Sequence, residues 1–112
     1  MAKRGDLLVA ARRLGFTPDR NHAEDTFVVI QSDNLNGVLA TVVVVPFVVD
    51  DAYARQPLAV SVALKGGVAG FVLAWLPAAV PADRFQPGSV ARLPAAAMAS
   101  VDRAVRTALD LA

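Results

Sequence analysis

The stretch that most restricts this chain is 38–49, VLATVVVVPFVV, where seven of twelve residues are valine. A branched Cβ is stiff about χ1 and packs well on a pleated surface, so the run predicts a strand. It follows Asn36-Gly37, a dipeptide suited to a turn with positive φ. Pro46 lies inside the run and cannot donate to a ladder, so the strand is expected to bend or leave the sheet there. The runs 6–11, 27–31, 57–64, 69–76 and 89–93 carry the same strand signal between turn residues. In 57–64, Leu58, Val60, Val62 and Leu64 face one way and Ala59, Ser61 and Ala63 the other. Lys65-Gly66-Gly67 then reads as a hairpin connection, and PAAVPADRFQPG at 77–88 reads as irregular.

The period changes near the C-terminus. Met98, Val101, Val105, Ala108, Leu109 and Ala112 recur at three- and four-residue spacing, after a Pro94 suited to a first helical turn. Asp102 with Arg106, and Arg106 with Asp110, are spaced for i,i+4 pairing on the opposite face. The fold class is therefore mainly β with a C-terminal α-helix, as a small antiparallel barrel or sandwich of six strands. One domain over residues 1–112 accommodates it.

Composition narrows the function classes. Hydrophobic residues are 55% and charged residues 19%, which is incompatible with disorder and leaves apolar surface for a partner, so a homodimer is expected. The chain has no cysteine, which excludes disulfides, thiolate metal sites and a cysteine nucleophile and fits a cytoplasmic protein. The longest uncharged stretch, 66–82, holds three glycines and two prolines and falls short of the roughly 20 residues a membrane span needs. Net charge is only +1, although Lys3, Arg4, Arg12, Arg13 and Arg20 gather near the N-terminus. That cluster is either a solvated surface or a basic patch that includes Arg12 and Arg13.

No motif specifies a reaction, and no cofactor is called for. His22 is the only histidine: either an exposed loop residue or one general acid or base beside Arg20. Ser32, Asp33, Asn34 and Asn36 either hold a ligand or satisfy backbone groups where a strand ends. Trp75, the only tryptophan, is placed by strand alternation with Phe71 and Leu73; it is a core residue or part of a partner-binding surface.

The order of these segments resembles the MazF/PemK toxin family. KRGDLLVA resembles that family's opening strand, FVVIQSDNLN its second strand and turn, ATVVVVPF its third strand with the proline, and ARLPAAAMASVDRAVRTALDLA its last strand and closing helix. The resemblance implies an SH3-like barrel, usually dimeric. It also implies a ribosome-independent, metal-free endoribonuclease that arrests growth and is held inactive by an antitoxin with a disordered acidic tail. FVVIQSD followed by VVVVPF also resembles the gyrase-poisoning CcdB toxins, which share the fold, but the CcdB terminus Trp-Gly-Ile is missing here. DNA gyrase is thus the alternative target, and a degenerate member that binds its antitoxin is a further alternative.

In that family an arginine-proline pair before the second strand and a threonine or serine after the third-strand proline supply key residues. Here the corresponding positions hold Asp25 and Thr26, and Val48. An aspartate repels a phosphorane and valine forms no hydrogen bond. Arg20 and His22, in the segment bordering that site, are the substitute catalytic candidates. Arg12 and Arg13 become candidate RNA contacts only through the same resemblance.

Overall fold

The computed structural model describes residues 2–11 and 25–110. Seven strands form one antiparallel sheet: β1 (Asp6–Val9), β2 (Thr26–Val29), β3 (Thr41–Val48), β4 (Ala59–Ala63), β5 (Ala69–Leu73), β6 (Ala78–Pro81) and β7 (Ala91–Arg92). A single helix, α1 (Ala95–Ala108), follows them. The strands run in the order β4-β5-β3-β2-β1-β7, and β6 pairs with β3 beside that path. The result is a half-barrel closed by a C-terminal helix, as the segment pattern predicts.

Both faces of the central strands are buried, which explains the continuous apolar runs. Leu7, Val28, Val45 and Phe47 point to the helix side, where Met98 and Val101 of α1 meet them. Their neighbours Leu8, Phe27, Val29 and Val44 point to a second core closed by Val80 and Phe85. Phe85 meets Phe27 edge-on, with ring centroids 6.0 Å apart. Full burial of a side chain such as Phe27 contributes on the order of 2–3 kcal/mol. In β4 and the residue after it, Val60, Val62 and Leu64 join the helix-side core while Ser61 and Ala63 are exposed, in the alternation predicted.

Pro46 neither bends β3 out of the sheet nor ends it. Ile30 donates its N–H to Val43 C=O (3.0 Å), so the odd-numbered residues of β3 bond to β2 and Pro46 points its backbone the other way. On that other side β6 pairs with residues 41–44 and β5 with residues 47–48. The proline therefore falls where one neighbour has ended and the next has not begun, and its missing N–H costs no ladder bond.

Two further expectations are corrected. The segment 77–88 is not wholly irregular, because Ala78–Pro81 forms β6 against the start of β3. Small alanines between two prolines gave it no strand signal, and its one buried anchor is Val80. The i,i+4 pairs expected on α1 are also not formed among the described residues. Asp102 pairs with Arg4 in the N-terminal segment, and Asp110 has left the helix at φ 55°.

Candidate functional site

The registers of β1, β2 and β3 bring two distant residues together. Val9 lies opposite Thr26 and Thr26 opposite Phe47. One step further, Ala10 donates its N–H to Asp25 C=O (2.9 Å), and Asp25 stands across from Val48. By alternation both side chains share the face of Phe27 and Val44. Both are closed to solvent, at 1% and 0% exposure. These are the positions at which the resemblance expects an arginine and a hydroxyl. The register thus sets a carboxylate beside an isopropyl group. Neither group can donate a proton or offer a cation to a phosphodiester.

Ala10 and Asp25, which lie on either side of residues 12–24 in the sequence, are ladder neighbours. Arg12, Arg13, Arg20 and His22 all fall in that segment, outside the described residues. Trp75 does not lie in a strand, because β5 stops at Leu73 and Trp75 occupies the turn that follows. It is half-buried, and its ring tilts 42° against that of Tyr53 with centroids 6.5 Å apart.

The polar cluster 31–36 closes upon itself. Gln31 Nε2 donates to Asn36 Oδ1 (2.9 Å), and Asn36 Nδ2 donates back to Gln31 C=O (3.3 Å) and to Asp33 Oδ1 (3.0 Å). Val43 N–H donates to Gln31 Oε1 (3.3 Å), which ties the cluster to β3. Asp33 also accepts the Arg4 N–H at 2.7 Å. That bond, followed by the one from Asn36, holds the Asp33 carboxyl below its ordinary range. Gln31 and Asn36 are buried, and their polar groups bond within the cluster and to β3 where the strand ends.

A cleft of about 500 Å³ opens at the other end of β1. Leu8, Val42 and Phe85 form its floor, and Lys3, Asp6 and Arg92 stand at its wall. Asp6 is buried and accepts the Lys3 N–H (2.9 Å) and Arg92 Nε (2.8 Å), so its charge is compensated. Sequence reasoning took Asp6 only as the start of a strand. Its pairing with Arg92, 86 residues away, carries no local signal. Among the described residues no group of three His, Cys, Asp or Glu side chains is placed to hold a metal ion. No helix among them is long and apolar enough to cross a membrane.

The model of the PemK-like, MazF-like toxins of type II toxin–antitoxin systems matches residues 3–109. The chain belongs to this family. Its MazF-like fold is shared with solved structures over nearly the whole length. An endoribonuclease in complex with its cognate antitoxin, from a mycobacterial species, is 19% identical with a TM-score of 0.78, covering 100% of this chain and 98% of that one. MazF from Deinococcus radiodurans is 22% identical with a TM-score of 0.76, covering 97% and 96%. The Mycobacterium tuberculosis toxin MazF-mt6 is 14% identical with a TM-score of 0.72, covering 96% and 98%. The comparison with curated proteins gave no match. A PemK/MazF match of this extent does not favour the CcdB alternative. Asp25 and Val48, which the resemblance sets at the arginine and hydroxyl positions, are both buried in this fold.

Proposed function

We propose that this chain is a single-domain, cytoplasmic toxin that arrests growth by cleaving RNA, and that a cognate antitoxin holds it inactive. The observation that carries the reading is membership of the MazF-like toxin family over residues 3–109. Likeness of fold to a protein described as an endoribonuclease with its antitoxin supports it. Because Asp25 and Val48 cannot perform the family's chemistry, the proposal assigns cleavage to the segment that begins and ends beside them. Arg20 is suited to stabilise the charged phosphorane and His22 to move the proton of the ribose 2′-hydroxyl. Arg12 and Arg13 supply phosphate contacts. Trp75 contributes to a partner-binding surface, and the toxin works as a homodimer.

Incubating the purified chain with long RNA in the presence of a chelator tests the reading. Fragments that disappear in Arg20→Ala and His22→Ala support it; intact RNA overturns it. A second reading is favoured by the burial of the Asp25–Val48 pair: a member that retains the fold and the antitoxin but has lost cleavage. Growth arrest on induction with intact RNA excludes cleavage as its cause. No arrest at all, together with antitoxin binding, selects the second reading.

A further inference from the structure

The cleft at the start of β1 owes its shape to a mismatch of chain lengths. Gln86 donates its N–H to Val9 C=O (2.8 Å), and Val90 donates its N–H to Leu7 C=O (3.0 Å). Two steps along β1 are thus matched by four along the facing segment, so Pro87, Gly88 and Ser89 bow away from the sheet. Pro87 fixes its own φ and Gly88 takes a left-handed φ of 77°, which together set the direction of the bow. Leu8, Val42 and Phe85 form the apolar floor beside it.

The walls of the cleft offer donors and no unspent negative charge. Among the described residues, the N–H groups of Gly88 and Ser89 and the Ser89 hydroxyl have no hydrogen-bond partner. The Lys3 ammonium has none either, because Lys3 meets Asp6 through its backbone N–H (2.9 Å). Arg92 gives its Nε to Asp6 (2.8 Å), which leaves the two Nη groups at the end of the guanidinium fork. Asp6 is the one carboxylate on the described lining, and both its oxygens are occupied, Oδ1 by Arg92 and Oδ2 by Lys3. Two cations and one carboxylate leave the lining with a net charge of +1.

We propose that this cleft binds a small organic monoanion, a carboxylate carried on an apolar or aromatic body. The carboxylate takes the two Nη groups of Arg92 as a bidentate pair, and the bond from Nε to Asp6 holds the fork for it. Lys3 and the unspent donors of the bow supply further bonds, and the body covers Leu8, Val42 and Phe85. A volume of about 500 Å³ lies within the range of small-molecule sites. Charge separates a carboxylate from a phosphate monoester. One negative charge neutralises the lining, whereas a phosphate brings nearly two and leaves an excess beside buried Asp6. The floor separates an organic anion from a simple ion, which would leave those three side chains uncovered. Asp6 and Arg92 lie at the opposite end of β1 from Ala10, the neighbour of Asp25, so the site stands whether or not the chain cleaves RNA. A bound ligand ties the N-terminal segment, β7 and the bow together, and so stabilises the folded chain.

Amide NMR titration of the full chain with phenylacetate and with hexanoate tests the proposal. Saturable shifts are expected at the Gly88 and Ser89 amides, with a thermal midpoint that rises with ligand concentration. Acetate lacks the body and 2-phenylethanol lacks the charge, and each is expected to bind about tenfold more weakly or worse. Phenyl phosphate is expected to bind more weakly than phenylacetate. Lys3→Gln keeps the backbone bond to Asp6 and is expected to weaken phenylacetate binding about fivefold. Arg92→Lys keeps a cation without the fork and is expected to weaken it about tenfold or more. If Arg92→Lys disturbs the fold by leaving Asp6 short of a partner, Lys3→Gln and the ligand series decide. Shifts that do not saturate, acetate or 2-phenylethanol binding as well as phenylacetate, tighter binding of phenyl phosphate, or an affinity that both substitutions leave unchanged would overturn it.

Discussion

Asp25 and Val48 face one another across β2 and β3, sealed from water on one side of the sheet. The pair joins residues from opposite sides of a turn-rich connection, and the resemblance sets it where the family's chemistry is expected. Its composition predicts coupling between the two positions. Val48→Thr places a hydroxyl beside a buried carboxylate that can accept from it, so its cost should stay near 1 kcal/mol. In an Asp25→Ala background the same hydroxyl loses that acceptor and should cost about 1–2 kcal/mol more. A double-mutant cycle by urea denaturation measures the difference, and additive effects would show that the side chains do not meet.

Gly70 is required by close approach. A Cβ at this position would lie 2.4 Å from Val48 O and 2.7 Å from Phe47 Cζ, the first of which is backbone and cannot move aside. Gly70→Ala should therefore loosen the β3–β5 ladder and destabilise the chain by about 2 kcal/mol or more. Gly66→Ala, at a positive φ but in open space, should cost only about 1 kcal/mol. Comparing their unfolding midpoints separates crowding from backbone strain.

Asn36 bridges Gln31 and Asp33 from within the fold. Asn36→Ala leaves the Gln31 amide and carbonyl short of partners in a buried setting, which should cost about 1–3 kcal/mol. Asn36→Asp should be no better, because the new carboxylate faces Asp33 and cannot donate to it. Thermal melts of both variants check the order.

The Asp33 carboxyl titrates below its ordinary value because Arg4 N–H, and then Asn36, bond to its charged form. A carboxyl whose folded pKa is depressed adds stability above its unfolded pKa and loses it as pH falls through the folded one. Asp33→Asn should thus flatten the loss of stability below about pH 4, the ordinary range for an aspartate. Denaturant midpoints measured from neutral to acid pH give the slope, and equal slopes would remove Asp33 from the account.

Much of the fold is legible along the chain because the signals are local. Apolar runs mark β1 to β3, alternation in β4 names its buried face, and the 3.6 period places α1. Asn36-Gly37 marks a turn whose glycine takes φ 84°. The strand β6 was hidden because alanine between prolines has neither periodicity nor strand propensity, and only Val80 anchors it. Asp6 with Arg92, and Arg4 with Asp102, were equally hidden, since each ion pair joins residues far apart in sequence. The counting that sets Asp25 and Val48 at the family's positions rests on the resemblance, and their burial is not visible in it.

The sequence by itself determined every strand segment but β6, the one helix, and which face of each is apolar, because propensity and period act over a few residues. Only the tertiary structure decided who sits beside whom. It set Pro46 between the end of β6 and the start of β5, closed Asp25 against Val48, and set Arg92 beside Asp6. Side-chain alternation tells a strand which way to face but not which strand to face, and that choice is made by registers between distant segments.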